Sequence, residues 1–204
     1  MLELDHLAVA GTDLEAAAAA VQASLGVVMR PGGRHDVFAT HNRLLGLADG
    51  LYLEAIAADP DAPAPGRPRW FDLDHFSGAP RLSNWICRVP DLDAALAELP
   101  ASVGRPVALC RGDLRWRMAV PEDGRLPFDN LFPALIEWQG EAHPAQVLPA
   151  SGCALRRLEI THPRASDLAA LLDGRLQDPR VEIRPGPAGL AAEFATPGGL
   201  RRLA

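Results

Sequence analysis

Apolar and polar positions along the chain fall into three similar runs. The first, LDHLAVAGTDLEAAAAAVQASLG from Leu4, opens with a short strand pattern in which His6 shares a face with Leu4 and Ala8, and Leu7 and Val9 take the other. A turn carrying Asp13-Leu14 follows, then an Ala-rich helix pattern that stops at Gly26. The second run, LSNWICRVPDLDAALAELPASVG from Leu82, repeats this order and ends at Gly104. Asp13-Leu14 and Asp91-Leu92 stand at the same distance from their starting leucines. A looser third copy, LRRLEITHPRASDLAALLDG, starts at Leu155. In each, an acidic or hydroxyl residue suits the helix start, and a glycine suits its C-cap.

Strand patterns follow the helices. GRHDVFATHNRLLGLADGLYLEAIA alternates well and turns at Ala48-Asp49-Gly50, while PVALCRGDLRWRMAVPE and NLFPALIEW continue the second copy. Each full unit therefore reads strand, helix, strand, strand, strand. The expected fold class is α+β: paired βαβββ modules at 1–58 and 81–139, joined by Pro-rich links at 59–80 and 140–152. Residues 153–204 are expected to form a partial βαββ unit packed on the same domain.

Composition narrows the chemistry. The 204 residues suffice for a proper core, and the net charge of −6 disfavours nucleic acid or an anionic membrane as partner. All basic residues are arginines, so Schiff-base and P-loop lysine chemistry are excluded. No GxGxxG or Ser-His-Asp order stands out, which leaves no nucleotide cofactor and no acyl transfer. Cys87, Cys110 and Cys153 read as reduced, mostly buried thiols. No basic and apolar leader opens the chain and no run approaches a membrane span, so the expected location is cytoplasmic.

The candidate chemistry is a pattern of buried charge. Glu54 shares a face with Tyr52 and Ile56, and Glu137 with Leu135 and Gln139, both within apolar strands where an unpaired carboxylate is costly. Together with His6 they suggest one polar cleft. Trp85, Trp116 and Trp138 suit a core as readily as a ligand wall, and Trp70 is placed to pack across the two units. His75 and His162 are expected on the surface.

Gly32-Gly33-Arg34-His35, Thr40-His41-Asn42-Arg43-Leu44 and Tyr52-Leu53-Glu54, taken in order with LDHLAV, the Trp-containing second-copy strand, LIEW and HPAQVLP, resemble the vicinal oxygen chelate superfamily, and in particular its glyoxalase-like branch. The resemblance covers essentially the whole chain. It implies two units closing into a U-shaped sheet cleft, with metal ligands on the first and last strands of each unit: His6 and Glu54 in the first, Asn84 and Glu137 in the second. A divalent ion (Zn, Ni, Mn or Fe) on His6, Glu54 and Glu137 would chelate a small oxygen-bearing organic molecule, and a glutamate would move a proton in a lyase or isomerase reaction. His35, Asn42, Asn84, Trp85 and His143 are the implied substrate contacts, and His35 or His41 could add a ligand. Members of the superfamily often form dimers. Asn84 stands where the metal-dependent members usually place a second nitrogen or amide ligand. This departure favours the alternative, a metal-free binding protein of the antibiotic-sequestering kind.

Overall fold

In a computed structural model describing residues 1–204, the chain forms an eight-stranded mixed sheet and a second sheet of four strands. β1 (Glu3–Ala10) leads into α1 (Leu14–Leu25), and the unit continues through β2 (Arg30–His35), β3 (Thr40–Gly46) and β4 (Tyr52–Ala58). The second unit comprises β5 (Arg81–Arg88), α2 (Leu92–Ala97), β6 (Arg105–Arg111), β7 (Leu114–Val120), the single turn α3 (Pro127–Asn130) and β8 (Ala134–Trp138). After α4 (Pro144–Val147) come β9 (Ala154–His162), α5 (Ala165–Leu172), β10 (Val181–Pro185), β11 (Gly189–Thr196) and β12 (Gly199–Leu203).

Local chemistry explains the helix starts. Asp13 accepts a hydrogen bond from the Ala16 N–H at 2.7 Å, and Asp91 accepts from Ala94 at 2.9 Å. Gly26, at φ 74°, donates its N–H to Gln22 and ends α1. α2 stops earlier than expected, at Ala97, because Pro100 follows closely and disfavours helical backbone before it. Gly104 therefore caps no α-helix. At φ 114° it lets the chain pass Val120, whose carbonyl carbon a Cβ would meet at 2.3 Å.

The large sheet runs β2-β3-β4-β1-β5-β8-β7-β6, so the two units join along the antiparallel β1–β5 pair. Bulges in β1–β5 and β2–β3 sharpen its curl. The outer strands β2 and β6 approach one another closely enough that a Cβ on Gly33 would meet the Cδ of Arg111 at 2.5 Å. The C-terminal unit is more complete than its sequence suggests, with three strands after α5 in the order β10-β9-β11-β12. Its sheet packs over α1 and β5. The main core of 49 buried residues runs through all three units, from Leu7 and Ile56 to Ile86, Leu135, Leu158 and Phe194.

Because the third unit shares this core, Leu158→Ala is expected to cost about 2–5 kcal/mol and to lower the midpoint of one cooperative urea transition. Two separate transitions would instead show that the C-terminal sheet stands alone.

Candidate active site

The register of the first unit brings its polar residues together. β1 pairs with β4 in parallel, so Tyr52 sits opposite His6 and Glu54 opposite Ala8 on the concave face. β3 adds Asn42 and Leu44 from the other side of β4. A cavity of about 30 Å³ is lined by His6, His35, Asn42, Tyr52, Glu54 and Arg111, with walls that include Trp70, Trp116, Met118, Ile136 and Trp138. That volume holds one or two water molecules.

His6 is set by a buried carboxylate. Its Nδ1 donates to Asp5 Oδ1 at 2.6 Å, which leaves Nε2 facing the cavity 3.8 Å from Glu54 Oε2. Tyr52 stacks on the imidazole with ring centres 4.2 Å apart. Asp5 and His6 are neighbours in sequence, yet both are buried and joined, because the β1–β5 register slips between Leu4 and His6. The other Asp5 oxygen accepts from Trp138 Nε1 at 3.1 Å and His143 Nε2 at 3.0 Å. Burial alone would push the Asp5 carboxyl up; the hydrogen bonds from His143 and His6, with their charges, hold it well below the usual carboxylate range. Tyr52 shifts upward through burial and the adjacent Asp5 and Glu54 charges.

A second hydrogen-bonded row crosses the cavity. Glu54 Oε1 accepts from Asn42 Nδ2, and Asn42 Oδ1 accepts from the Gly33 N–H at 2.8 Å and from Arg111 Nη1 at 3.1 Å. The guanidinium also donates to His35 Nε2 at 3.2 Å, so the ring carries its proton on Nδ1 and donates it to Thr40 Oγ1 at 3.0 Å. Burial first, then the Arg111 charge, lowers the His35 pKa to about 3. The Gly-Gly pair belongs to β2, where a Cβ on Gly32 would overlap Asn42 Oδ1 at 2.0 Å.

Not every expected residue joins the site. His6, His35, Asn42 and Glu54 converge, whereas Glu137 does not. β1 and β5 pair His6 with Ile86 and Ala8 with Asn84, so the twofold that relates the two units makes Asn84 the equivalent of His6 and Ile86 the equivalent of Ala8. Ala134, paired with Ile86, therefore takes the place that Glu54 holds opposite Ala8. Glu137 lies three residues further on, an odd step that turns it to the convex face. There it accepts from the Leu92 N–H at 2.7 Å and from Arg117 at 2.6 Å, and the Arg117 bond holds its carboxyl below the usual range. Asn84 is fully buried away from the cavity and donates to the Asn130 carbonyl. Trp85 is core on the Leu7 face, its indole N–H held by the Leu131 carbonyl at 2.8 Å. His41 opens onto a different groove, beside Asp13 and Asp59.

His143 caps α4 through its Nδ1 and reaches the site through Asp5, with its ring also edge-on to Tyr52 and Trp138. Trp70, Trp116 and Trp138 do line the cavity, and Trp70 crosses from the link to stack on Phe38. His162 is buried, not exposed, and bonds Asp129 at 3.1 Å. Of the cysteines, Cys110 is exposed. Asp5 and Arg111 have no signal in the sequence that would have selected them.

The expected metal set is therefore not assembled. His6 and Glu54 offer two donors, Ala134 offers none, and no group of three His, Cys, Asp or Glu side chains is arranged to hold an ion. These residues do not fit a divalent metal held by three or four protein ligands. A larger groove of about 490 Å³ runs past Phe71, Arg81, Arg125, Asp129 and Leu190, but Arg125 there is already paired with Asp72 and Asp129.

Comparison with known proteins agrees with this architecture. A glyoxalase-like domain family matches residues 4–176. No curated protein matches the chain in sequence. Among solved structures, a hypothetical protein from Staphylococcus aureus superposes with TM-score 0.58 at 12% identity, covering 99% of this chain and 85% of the other. A Mn(II)-bound glyoxalase from Novosphingobium aromaticivorans gives TM-score 0.51 at 12% identity, with 98% and 80% covered. A methylmalonyl-CoA epimerase from Mycobacterium tuberculosis gives 0.45 at 21% identity, with 69% and 89% covered. At 12% identity the first two likenesses are ones of fold.

A pH dependence follows from His35. Its unfolded-state pKa near 6.5 exceeds the folded value of about 3, so the unfolded chain binds the extra proton and stability rises with pH. Between pH 6.5 and about pH 3, wild-type stability is expected to fall by roughly 1.4 kcal/mol per pH unit from this residue alone. His35→Gln should flatten that slope in urea titrations at several pH values.

Proposed function

We propose that this chain, which belongs to the glyoxalase-like domain family, moves a proton on a small carbonyl compound in an isomerase- or lyase-type reaction, using His6 and Glu54 without a metal. The observation that carries the reading is the pair itself. His6 Nε2 and Glu54 Oε2 face one cavity 3.8 Å apart, each fixed from behind, by Asp5 and by Asn42. This separation is too long for a direct hydrogen bond, and both atoms border the space a ligand would enter.

The Asp5 carboxylate supports the division of labour. Accepting from Nδ1, it selects the tautomer with a free lone pair on Nε2 and stabilises the imidazolium that forms when Nε2 takes a proton. In the proposed step Nε2 removes a proton from the carbon beside a carbonyl. The C–H electron pair becomes the enolate double bond as the carbonyl π pair moves to oxygen. Return of that proton from Nε2 to a neighbouring atom, with the Glu54 carboxylate beside it stabilising the imidazolium meanwhile, completes an isomerisation, and expulsion of a leaving group from the enolate completes an elimination. Tyr52 and the tryptophan walls keep bulk water away from the pair.

Deuterium uptake from D2O into pyruvate and hydroxyacetone, followed by proton NMR, tests this. The wild type is expected to catalyse exchange into at least one of them after dialysis against EDTA. His6→Ala and Glu54→Gln should each slow it about 10²- to 10⁴-fold while remaining folded. Exchange abolished by EDTA and restored by Mn(II) would count against metal independence. Ligand-induced stabilisation with no exchange would leave a binding protein in its place.

A further inference from the structure

We infer that Arg111 is the anion-recognition residue of this site and that the carbonyl compound it takes carries a carboxylate. The inference rests on the reading of the cavity given above and adds a substrate class to it.

Arg111 is the one arginine that borders the His6–Glu54 cavity, and no carboxylate oxygen stands within ion-pairing distance of it. Most arginines on this molecule that touch a side chain are paired, as in Arg34–Asp59, Arg43–Glu15, Arg117–Glu137 and Arg180–Asp178. Arg111 instead rests on two uncharged acceptors, His35 Nε2 and Asn42 Oδ1, both reached by Nη1 alone. Its Nη2 and Nε bond nothing else in the chain, which leaves one edge of the guanidinium fork for a ligand. A carboxylate matches that edge in geometry, and charge-assisted bonds to it are about twice as strong as those Arg111 makes to neutral acceptors.

Placement supports a role in entry as well as binding. Arg111 ends β6, next to the Gly112-Asp113 turn, and reaches β3 beyond the edge strand β2. β2 and β6 lie at opposite ends of the sheet order and share no backbone ladder, so the seam between them is closed by side chains. A cavity of about 30 Å³ cannot hold an organic acid while Arg111 lies across it. A ligand carboxylate that engages the free Nε–Nη2 edge shifts the guanidinium with it and opens the seam without breaking a strand hydrogen bond. The absence of a side chain at Gly33 gives Arg111 the room to cross.

The probes are pyruvate and phenylpyruvate, each against its methyl ester, with affinity read by calorimetry on the wild type, Arg111→Gln and Arg111→Lys. At least one acid is expected to bind the wild type about 10- to 100-fold more tightly than its ester. Arg111→Gln should erase that preference and leave ester binding within about threefold. Arg111→Lys, which keeps the charge and loses the fork, should retain part of it. No acid preference in the wild type, preference kept in Arg111→Gln, or equal loss of acid and ester would each overturn the assignment. Glu54→Gln separates this inference from the proposed chemistry. Acid preference retained with no deuterium exchange in any protein would sink the proton-transfer reading alone, and exchange into hydroxyacetone without acid preference would sink the assignment of Arg111 alone.

Discussion

The site is organised around a carboxylate that no water reaches. Asp5 is fully buried, and its charge is balanced there by donation from His6, His143 and Trp138 and by the Arg88 guanidinium 4.0 Å away. Each donor comes from a different part of the chain. His6 is its neighbour on β1, Trp138 ends β8 of the second unit, and His143 caps the short helix after it. One buried group thereby fixes a tautomer, ties the two units together and anchors the 140–149 segment near the cleft. Loss of any donor would leave part of the charge unpaired, which is why these distant residues act as one piece.

Curvature does the rest. The bulges that bend the eight-stranded sheet bring β2 beside β6, strands that the order of pairing places furthest apart. Gly33 is demanded by that approach, to let Arg111 pass, and Gly32 by the β2–β3 pairing, to let Asn42 turn its amide inward. The two units divide the work unequally. The first supplies His6, His35, Asn42, Tyr52 and Glu54, whereas the second supplies mainly apolar walls and the guanidinium. A duplicated framework has become an asymmetric site, with Ala134 where a second carboxylate would have stood.

Much of the framework was legible because it depends on short-range rules. The Asp caps at 13 and 91, the Gly26 terminus and the alternation of β1, β3 and β4 are properties of a few adjacent residues, and the same order appearing twice signalled the duplication. Within the first unit His6 and Glu54 could be brought to one face by counting in twos. Counting in twos also set Glu137 apart from Ile136 and Trp138, and it is those two that line the cavity; Glu137 was placed in the cleft by the resemblance and not by the count.

The chain's own sequence thus determined its class, its repeat and the polar face of its first unit, since hydrophobic period and capping act locally. Only the tertiary structure decided which charges meet. A bulge turned Asp5 onto His6, sheet curl carried Arg111 across to Asn42, and an odd step in register sent Glu137 outward to Arg117. Such meetings depend on register and curvature summed over many strands, and no window of sequence contains that sum.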